Sequence, residues 1–192
     1  MKKSNIILSG VGGQGILTIA AALSLAALRE NLNIKQAEVH GMSQRGGAVQ
    51  SHLRISDGRI ASDLIPKGRA DIILSIEPVE GMRYLPYLSE NGLLITNSKP
   101  FVNVDNYPDP DFILGEIKKI KGSIILDADD MAKEAGSVRT SNIVMLGAAS
   151  PYICVDTGSI ENALARIFDR KGHEVVEMNL RAYRMGREAA RR

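Results

Sequence analysis

A glycine-rich stretch near the N-terminus is the first part of the sequence with the composition of a ligand site. It reads Gly-Val-Gly-Gly-Gln-Gly at residues 10–15, after the apolar run 6–9 and before the helical pattern 16–31. Glycines at this spacing allow a tight turn and close backbone approach, and the N-terminus of the following helix attracts phosphate. Glu38, about 20 residues further on, stands where dinucleotide-binding folds place an acid for a ribose hydroxyl. The pattern favours a nucleotide-binding turn, and the alternative is a strand-to-helix corner without a ligand.

A second motif, His-Gly-Met-Ser-Gln-Arg-Gly-Gly-Ala, occupies residues 40–48, directly after the predicted strand 34–39. In a parallel sheet it falls at the same carboxyl edge as the glycine turn, and open α/β sheets bind ligands at that edge. The loop can present backbone N–H groups and the guanidinium of Arg45 to an anion. The alternative is a glycine-rich turn with an exposed arginine.

These motifs depend on a sheet that brings two strand ends together, and the rest of the chain has that pattern. Short apolar runs alternate with helical patterns, which is typical of an α/β protein with a mostly parallel sheet between helices. We expect a three-layer α/β/α, Rossmann-like fold with about six or seven strands, as one domain over residues 1–192. Asp57-Gly58 predicts a hairpin turn between strands 48–55 and 60–65. Further strands are expected at 71–76, 93–96 and 124–127, with an irregular stretch at 98–112 and helices at 79–89, 129–135, 142–149, 159–171 and 175–190.

Composition excludes several classes of protein. The chain of 192 residues has one cysteine, Cys154, so it cannot build an internal disulfide or a cysteine-ligated metal centre by itself. Its 24 basic and 22 acidic residues give a net charge of +2, which does not predict nucleic-acid binding. The apolar run 16–28 is shorter than the roughly 18 residues of a membrane span. We therefore expect a cytoplasmic protein that binds no metal, nucleic acid or membrane.

Some single residues have plain structural interpretations. We expect Asp129 and Asn142 to cap helices, Cys154 to be a buried and unreactive thiol, and His40 and His52 to make ordinary packing or hydrogen-bonding contacts. The C-terminal helix should dock through an apolar face that contains Val176, Leu180 and Tyr183. Its solvated face should carry charged residues: Arg181, Arg184, Glu188 and Arg191.

Taken together, the two glycine motifs resemble the gamma-type domain of the 2-oxoacid:ferredoxin oxidoreductases over nearly the whole chain. The resemblance runs from GVGGQGI through EVHGMSQRGGAVQSHLRI to TSNIVMLGA at residues 140–148. Within that family the form HGMSQRGG is similar to the small (beta) subunits of the indolepyruvate-oxidising members. Pyruvate and 2-oxoglutarate members tend to have a Pro-Glu-containing version before the same glycines.

The resemblance implies an accessory subunit without catalytic residues in an enzyme that converts a 2-oxoacid, CoA and oxidised ferredoxin to acyl-CoA, CO2 and reduced ferredoxin. It places thiamine diphosphate and iron–sulfur clusters on a large partner subunit, and it implies that the two loops face CoA or the subunit interface. The residues concerned are Gly10, Gly12, Gly13, Gln14, Gly15, Ser43, Gln44, Arg45, Gly46 and Gly47. Two other readings stay open: a stand-alone dinucleotide-binding module, and the equivalent subunit of an enzyme for a different 2-oxoacid. The dinucleotide reading is weakened because no separate catalytic domain remains.

Overall fold

The computed structural model describes residues 2–40, 46–102 and 106–191, with the side chain of His40 left out. Within these ranges the chain forms six strands and seven α-helices. The strands are β1 (Lys3–Val11), β2 (Asn33–His40), β3 (Ala48–Ser56), β4 (Ala70–Ser75), β5 (Leu88–Asn97) and β6 (Ile124–Leu126). The helices are α1 (Ile16–Arg29), α2 (Pro78–Arg83), α3 (Pro110–Lys118), α4 (Ala128–Ala135), α5 (Ser141–Ala149), α6 (Thr157–Phe168) and α7 (His173–Ala189).

The strands form one mixed sheet in the order β2-β3-β1-β4-β5-β6. β1, β4, β5 and β6 pair in parallel, while β3 lies antiparallel between β1 and β2. Five strands therefore point the same way and end at one edge, which we call the carboxyl edge. The three-layer α/β fold expected from the sequence is confirmed.

Alternation along the central strand builds the two cores of the molecule. Ile6 and Leu8 of β1 pack in the large core under α1, α5, α6 and α7. Ile7, between them, points to the opposite face and packs in the smaller core with Ile117 of α3. All three side chains are fully buried, and each contributes about 1.5–3 kcal/mol of hydrophobic stabilisation. The helices are thus held on both faces, and the glycine turn that follows β1 has a rigid base.

The predicted hairpin at Asp57-Gly58 is wrong. The antiparallel hairpin joins β2 to β3 instead, and its connection is the second motif, while residues 57–69 form no strand. The Arg54 guanidinium donates to the carbonyl oxygens of Ser62 and Leu64, at 2.9 and 3.2 Å. These bonds satisfy two carbonyl groups that would otherwise need strand partners, and the segment docks without a seventh strand.

Two helices differ from the expectation because of proline. The predicted helix 79–89 ends early as α2, and a short 3-10 turn containing Pro86 follows it. The stretch 98–112, expected to be irregular, ends in the start of α3. Pro110 occupies the first turn of that helix, where its missing N–H costs nothing, and Asp109 caps it by accepting from the N–H of Asp111 at 2.8 Å.

Candidate ligand-binding site at the carboxyl edge

The two glycine motifs meet at the carboxyl edge. β1 runs directly into the first motif, and the second motif leads into β3, whose first residue, Ala48, pairs with Val11. The N–H of Gly12 donates to the carbonyl oxygen of Gly47 at 2.9 Å. Ser43, Gln44 and Arg45 lie outside the described residues.

Inside the first motif, Gln14 folds back on its own turn. Its side-chain oxygen accepts from the N–H of Val11 at 2.8 Å, and its own N–H donates to the carbonyl oxygen of Val11 at 3.1 Å. A side chain at Gly10 would collide with Gln14, and one at Gly15 would collide with Asn142. Gly13 has a positive φ of 101° and open space beside it, so a ligand can approach the backbone at this residue.

A cleft of about 690 Å³ opens beside the turn, on the side of the sheet that carries α1, α5 and α7. Its lining includes Gly13–Gly15, Thr18 of α1 and the segment 137–142 at the start of α5. The end of α6 and the start of α7 close the cleft with residues that include Phe168, Lys171, Val175, Met178 and Asn179. The structure thus joins Gly13, Gln14 and Gly15 to residues that no local motif marks.

Asn142 connects the start of α5 to the glycine turn instead of capping its helix. It is 7% exposed, and its side-chain nitrogen donates to the carbonyl oxygen of Gly15 at 3.1 Å. Thr140 occupies the N-cap position of α5, with no side-chain hydrogen bond to the helix. The prediction that Asn142 is a cap is wrong, and its contact with the glycine turn holds α5 against the start of α1.

Asp129 is not a cap either. Asp127 caps α4 by accepting from the N–H of Asp130 at 3.0 Å. Asp129 accepts instead from the side-chain nitrogen of Asn97 at 3.1 Å, which ties the end of β5 to α4. Lys99 lies 2.9 Å from the Asp127 carboxylate. Each of these carboxylates thus has a structural partner.

Two buried carboxyl groups stand at the end of β4. Glu77 is 1% exposed, caps α2 through the N–H of Glu80, and accepts a very short hydrogen bond from the hydroxyl of Tyr107. Burial raises the pKa of Tyr107, and the bond to Glu77 adds to the increase. Burial also raises the pKa of Glu80, and the hydrogen bond from Arg83 partly offsets that increase. Tyr107 fixes the stretch before α3 to the carboxyl edge, a contact that no local sequence pattern marks.

The position of Glu38 argues against a dinucleotide site. In a dinucleotide-binding sheet the strand that carries the ribose-binding acid lies beside β1. Here β3 lies between β1 and β2, so the two strands are separated by two spacings, about 10 Å. Glu38 hydrogen-bonds Gln36 at 3.4 Å, on the edge strand.

His52 makes the ordinary hydrogen bond expected of it, whereas Cys154 is less buried than expected. His52 accepts from the N–H of Ile65 at 3.0 Å through Nδ1, and burial lowers its pKa, opposed by Asp63. Cys154 is half-buried, not fully buried as expected, and burial raises the pKa of its thiol. In the described part of the chain no three His, Cys, Asp or Glu side chains come together as a metal-binding group.

The C-terminal helix docks as predicted. Leu180 and Tyr183 of α7 are buried, and Val176 packs beside them. Arg184 pairs with Glu161 of α6 through two hydrogen bonds, of 3.1 and 2.6 Å. Across the described ranges, no helix has the length and apolar character needed to cross a bilayer.

Known proteins match this chain over nearly all of its length. Residues 5–189 match the family described as pyruvate ferredoxin/flavodoxin oxidoreductase. The indolepyruvate oxidoreductase subunit IorB of Archaeoglobus fulgidus is 39% identical over 189 residues, which are 95% of this chain and 92% of that protein.

Solved structures of similar fold are oxidoreductase subunits. The gamma subunit of a keto/oxoacid ferredoxin oxidoreductase from Geobacter sulfurreducens matches with a TM-score of 0.71 and 27% identity, over 97% of this chain and 98% of that one. The 2-oxoglutarate:ferredoxin oxidoreductase of Magnetococcus marinus, solved with 2-oxoglutarate, coenzyme A and succinyl-CoA bound, matches with a TM-score of 0.79 and 21% identity. That match covers 100% of this chain and 31% of the larger one. The chain belongs to the pyruvate ferredoxin/flavodoxin oxidoreductase family.

Proposed function

We propose that this chain is the small, non-catalytic subunit of an indolepyruvate:ferredoxin oxidoreductase, with residues 1–192 as one gamma-type domain. The observation that carries the proposal is the match to the indolepyruvate oxidoreductase subunit IorB of Archaeoglobus fulgidus, at 39% identity over 95% of this chain. The complex oxidatively decarboxylates an aryl 2-oxoacid. The acyl group passes to the CoA thiol, the carboxyl group leaves as CO2, and the released electrons reduce ferredoxin.

Thiamine diphosphate and the iron–sulfur clusters belong, in this proposal, to a large catalytic partner subunit. A single cysteine cannot supply the four thiolates that a cluster usually needs. The chain therefore contributes by binding CoA or the partner subunit and not by redox chemistry. Ferredoxin binds to the complex through the partner subunit. We place the complex in the cytoplasm.

The carboxyl edge is the part of the chain that faces CoA and the partner's active site. We assign this role to the glycine turn, residues 10–15, and to the second motif, residues 43–47. Support comes from the Gly12–Gly47 hydrogen bond, which makes the two loops one surface, and from the open backbone at Gly13. The similar enzyme from Magnetococcus marinus was solved with CoA bound.

Reconstitution with the partner subunit tests the proposal. The chain alone should show no oxoacid oxidation and no visible iron–sulfur absorbance. Together with the large thiamine-dependent subunit it should give CoA-dependent ferredoxin reduction, with indolepyruvate preferred over pyruvate, 2-oxoglutarate and a branched-chain 2-oxoacid. Activity of the isolated chain would refute the accessory role, and a preference for another oxoacid would refute the substrate assignment.

A further inference from the structure

The outer face of α1 is apolar. Leu17 and Leu28 are 48% and 61% exposed, and Ala21 is exposed between them. Their spacing of four and seven residues puts all three on one side of the helix, which has no charged residue before Arg29. The outer face of a helix at a protein surface normally carries charged and polar side chains. This face therefore has the character of a surface that another protein covers.

A groove of about 390 Å³ lies between the second half of α1 and α6. The two helices run antiparallel, because the N–H of Asp156, the cap of α6, donates to the carboxylate of Glu30 at the end of α1, at 2.7 Å. Leu25 and Leu28 of α1 and Ala163 of α6 give the groove its apolar lining. The groove thus continues the apolar face of α1 onto a second helix.

An arginine stands at each end of the groove. Arg29 is the last residue of α1, and Arg166 lies in the last turn of α6, about 10 Å along that helix from Ser159. None of the described residues that line the groove is acidic, and neither arginine has a hydrogen-bond or ion-pair partner in the described part of the chain. Both guanidinium groups are therefore available to carboxylates of another protein.

The acidic residues at the junction of α1 and α6 have other partners. Asp156 accepts from the N–H groups of Gly158 and Ser159, at 2.7 and 3.3 Å. Glu30 accepts from the N–H of Asp156 and lies 4.0 Å from the ammonium group of Lys2. Since these carboxylates are used within the chain, the two arginines keep the groove positively charged.

We infer that this groove binds an amphipathic helix of the large partner subunit. Apolar side chains of that helix pack on Leu25 and Leu28, and a carboxylate pairs with an arginine at each end of the groove. Carboxylates seven residues apart on the incoming helix match the groove, because seven residues of α-helix span about 10 Å. The inference rests on the proposed function for the identity of the partner.

Two observations favour the partner subunit over a second copy of this chain. The apolar face of α1 reaches Leu17, two residues after the glycine turn, so it is continuous with the edge that we assign to the partner. Two copies joined groove to groove would place arginines against arginines, and like charges at an interface repel.

Affinity of the full-length chain for the large thiamine-dependent subunit, measured by biolayer interferometry, tests the groove. Leu28→Ser should weaken binding about tenfold, because it removes an apolar contact from the groove. Arg29→Glu and Arg166→Glu should each weaken binding about tenfold, because each sets a like charge against a carboxylate. All three residues are exposed, so the variants should keep a melting temperature close to that of the wild type, which thermal unfolding checks.

Leu64→Ser and Arg181→Glu are the matched controls. Leu64 is 54% exposed, Arg181 is exposed on α7, and neither lines the groove. Both variants should bind the large subunit with wild-type affinity. Equal losses in groove and control variants would overturn the inference, as would wild-type affinity in all three groove variants.

A photo-crosslinking amino acid in place of Asn162, which is exposed and lines the groove, identifies the occupant. In the assembled complex it should crosslink to a helical segment of the large subunit with carboxylates seven residues apart. Crosslinking to a second copy of this chain, or to a segment without carboxylates, would overturn the inference.

Substrate specificity separates this inference from the proposed function. Assembly that depends on the groove, with a large subunit that does not oxidise indolepyruvate, would support the groove and refute the proposed function. Indolepyruvate oxidation by a complex whose assembly does not depend on the groove would support the proposed function and overturn the inference.

Discussion

At the residue scale, two glycines of the glycine turn are needed for packing inside the protein. Gln14 fills the space beside Gly10, and Asn142 fills the space beside Gly15. The small size of these two glycines is therefore needed to close the turn and to seat α5 against it, while Gly13 has open space beside it. The motif predicts where a ligand site lies, but not which of its atoms meet the ligand.

His52 predicts a pH-dependent stability. Its pKa in the folded chain is below the ordinary value of 6.5, because burial disfavours the charged imidazole and Nδ1 must stay unprotonated to accept from Ile65. As the pH falls through about 6.5, the unfolded chain takes up the proton first, so this contribution to stability is present above that pH and is lost below it.

Chemical unfolding of the wild type and of His52→Gln at about pH 7.5 and about pH 5.5 measures the effect. The wild type should lose more unfolding free energy between the two values than the variant does. Equal losses would show that His52 does not couple folding to protonation.

At the scale of elements, the contact between α5 and α7 determines how the cleft is built. A side-chain carbon at Gly147 would overlap the carbonyl oxygen of Tyr183, and one at Gly186 would overlap that of Val144. The two helices therefore touch backbone to backbone. Residues 137–142 at the start of α5 and residues 175–179 of α7 line the same cleft.

Alanine at either glycine should separate these helices. We expect Gly147→Ala and Gly186→Ala each to lower the free energy of unfolding by about 3 kcal/mol, as for overpacking in a rigid core. Gly115→Ala in α3 is the matched control, since nothing lies within 4 Å of the new carbon. It should be neutral or stabilise by up to about 1 kcal/mol. Urea unfolding measures all three, and a loss at Gly147 no larger than at Gly115 would contradict the close contact.

The strands and helices with strong local patterns could be predicted from the sequence, and tertiary contacts decide the rest. The alternation around Ile6–Leu8 and the Gly-rich turn are local signals. Residues 57–69 dock through hydrogen bonds from Arg54, which lies on β3. The local Asp57-Gly58 pattern does not show this contact, and it therefore predicts a hairpin. The cleft could not be predicted, because Gly13, Arg139 and Lys171 are far apart in the sequence. They line one cavity only when α1, α5 and α7 pack together.

At the scale of the whole molecule, the strand order of the sheet determines which residues lie beside the glycine turn. The insertion of antiparallel β3 between β1 and β2 moves Glu38 away from the glycine turn and brings Gly47 to it. A sheet similar to that of a dinucleotide-binding fold thus presents the glycine turn, joined to the second motif through Gly47, at its carboxyl edge. In the proposed function, redox chemistry stays with the partner subunit and this edge faces CoA.

A structure of the complete complex with CoA bound tests this central claim most directly. We expect the glycine turn, residues 10–15, and the second motif, residues 43–47, to face CoA at the interface with the partner subunit. A complex in which CoA is held by the partner alone, with neither loop beside it, would contradict this claim.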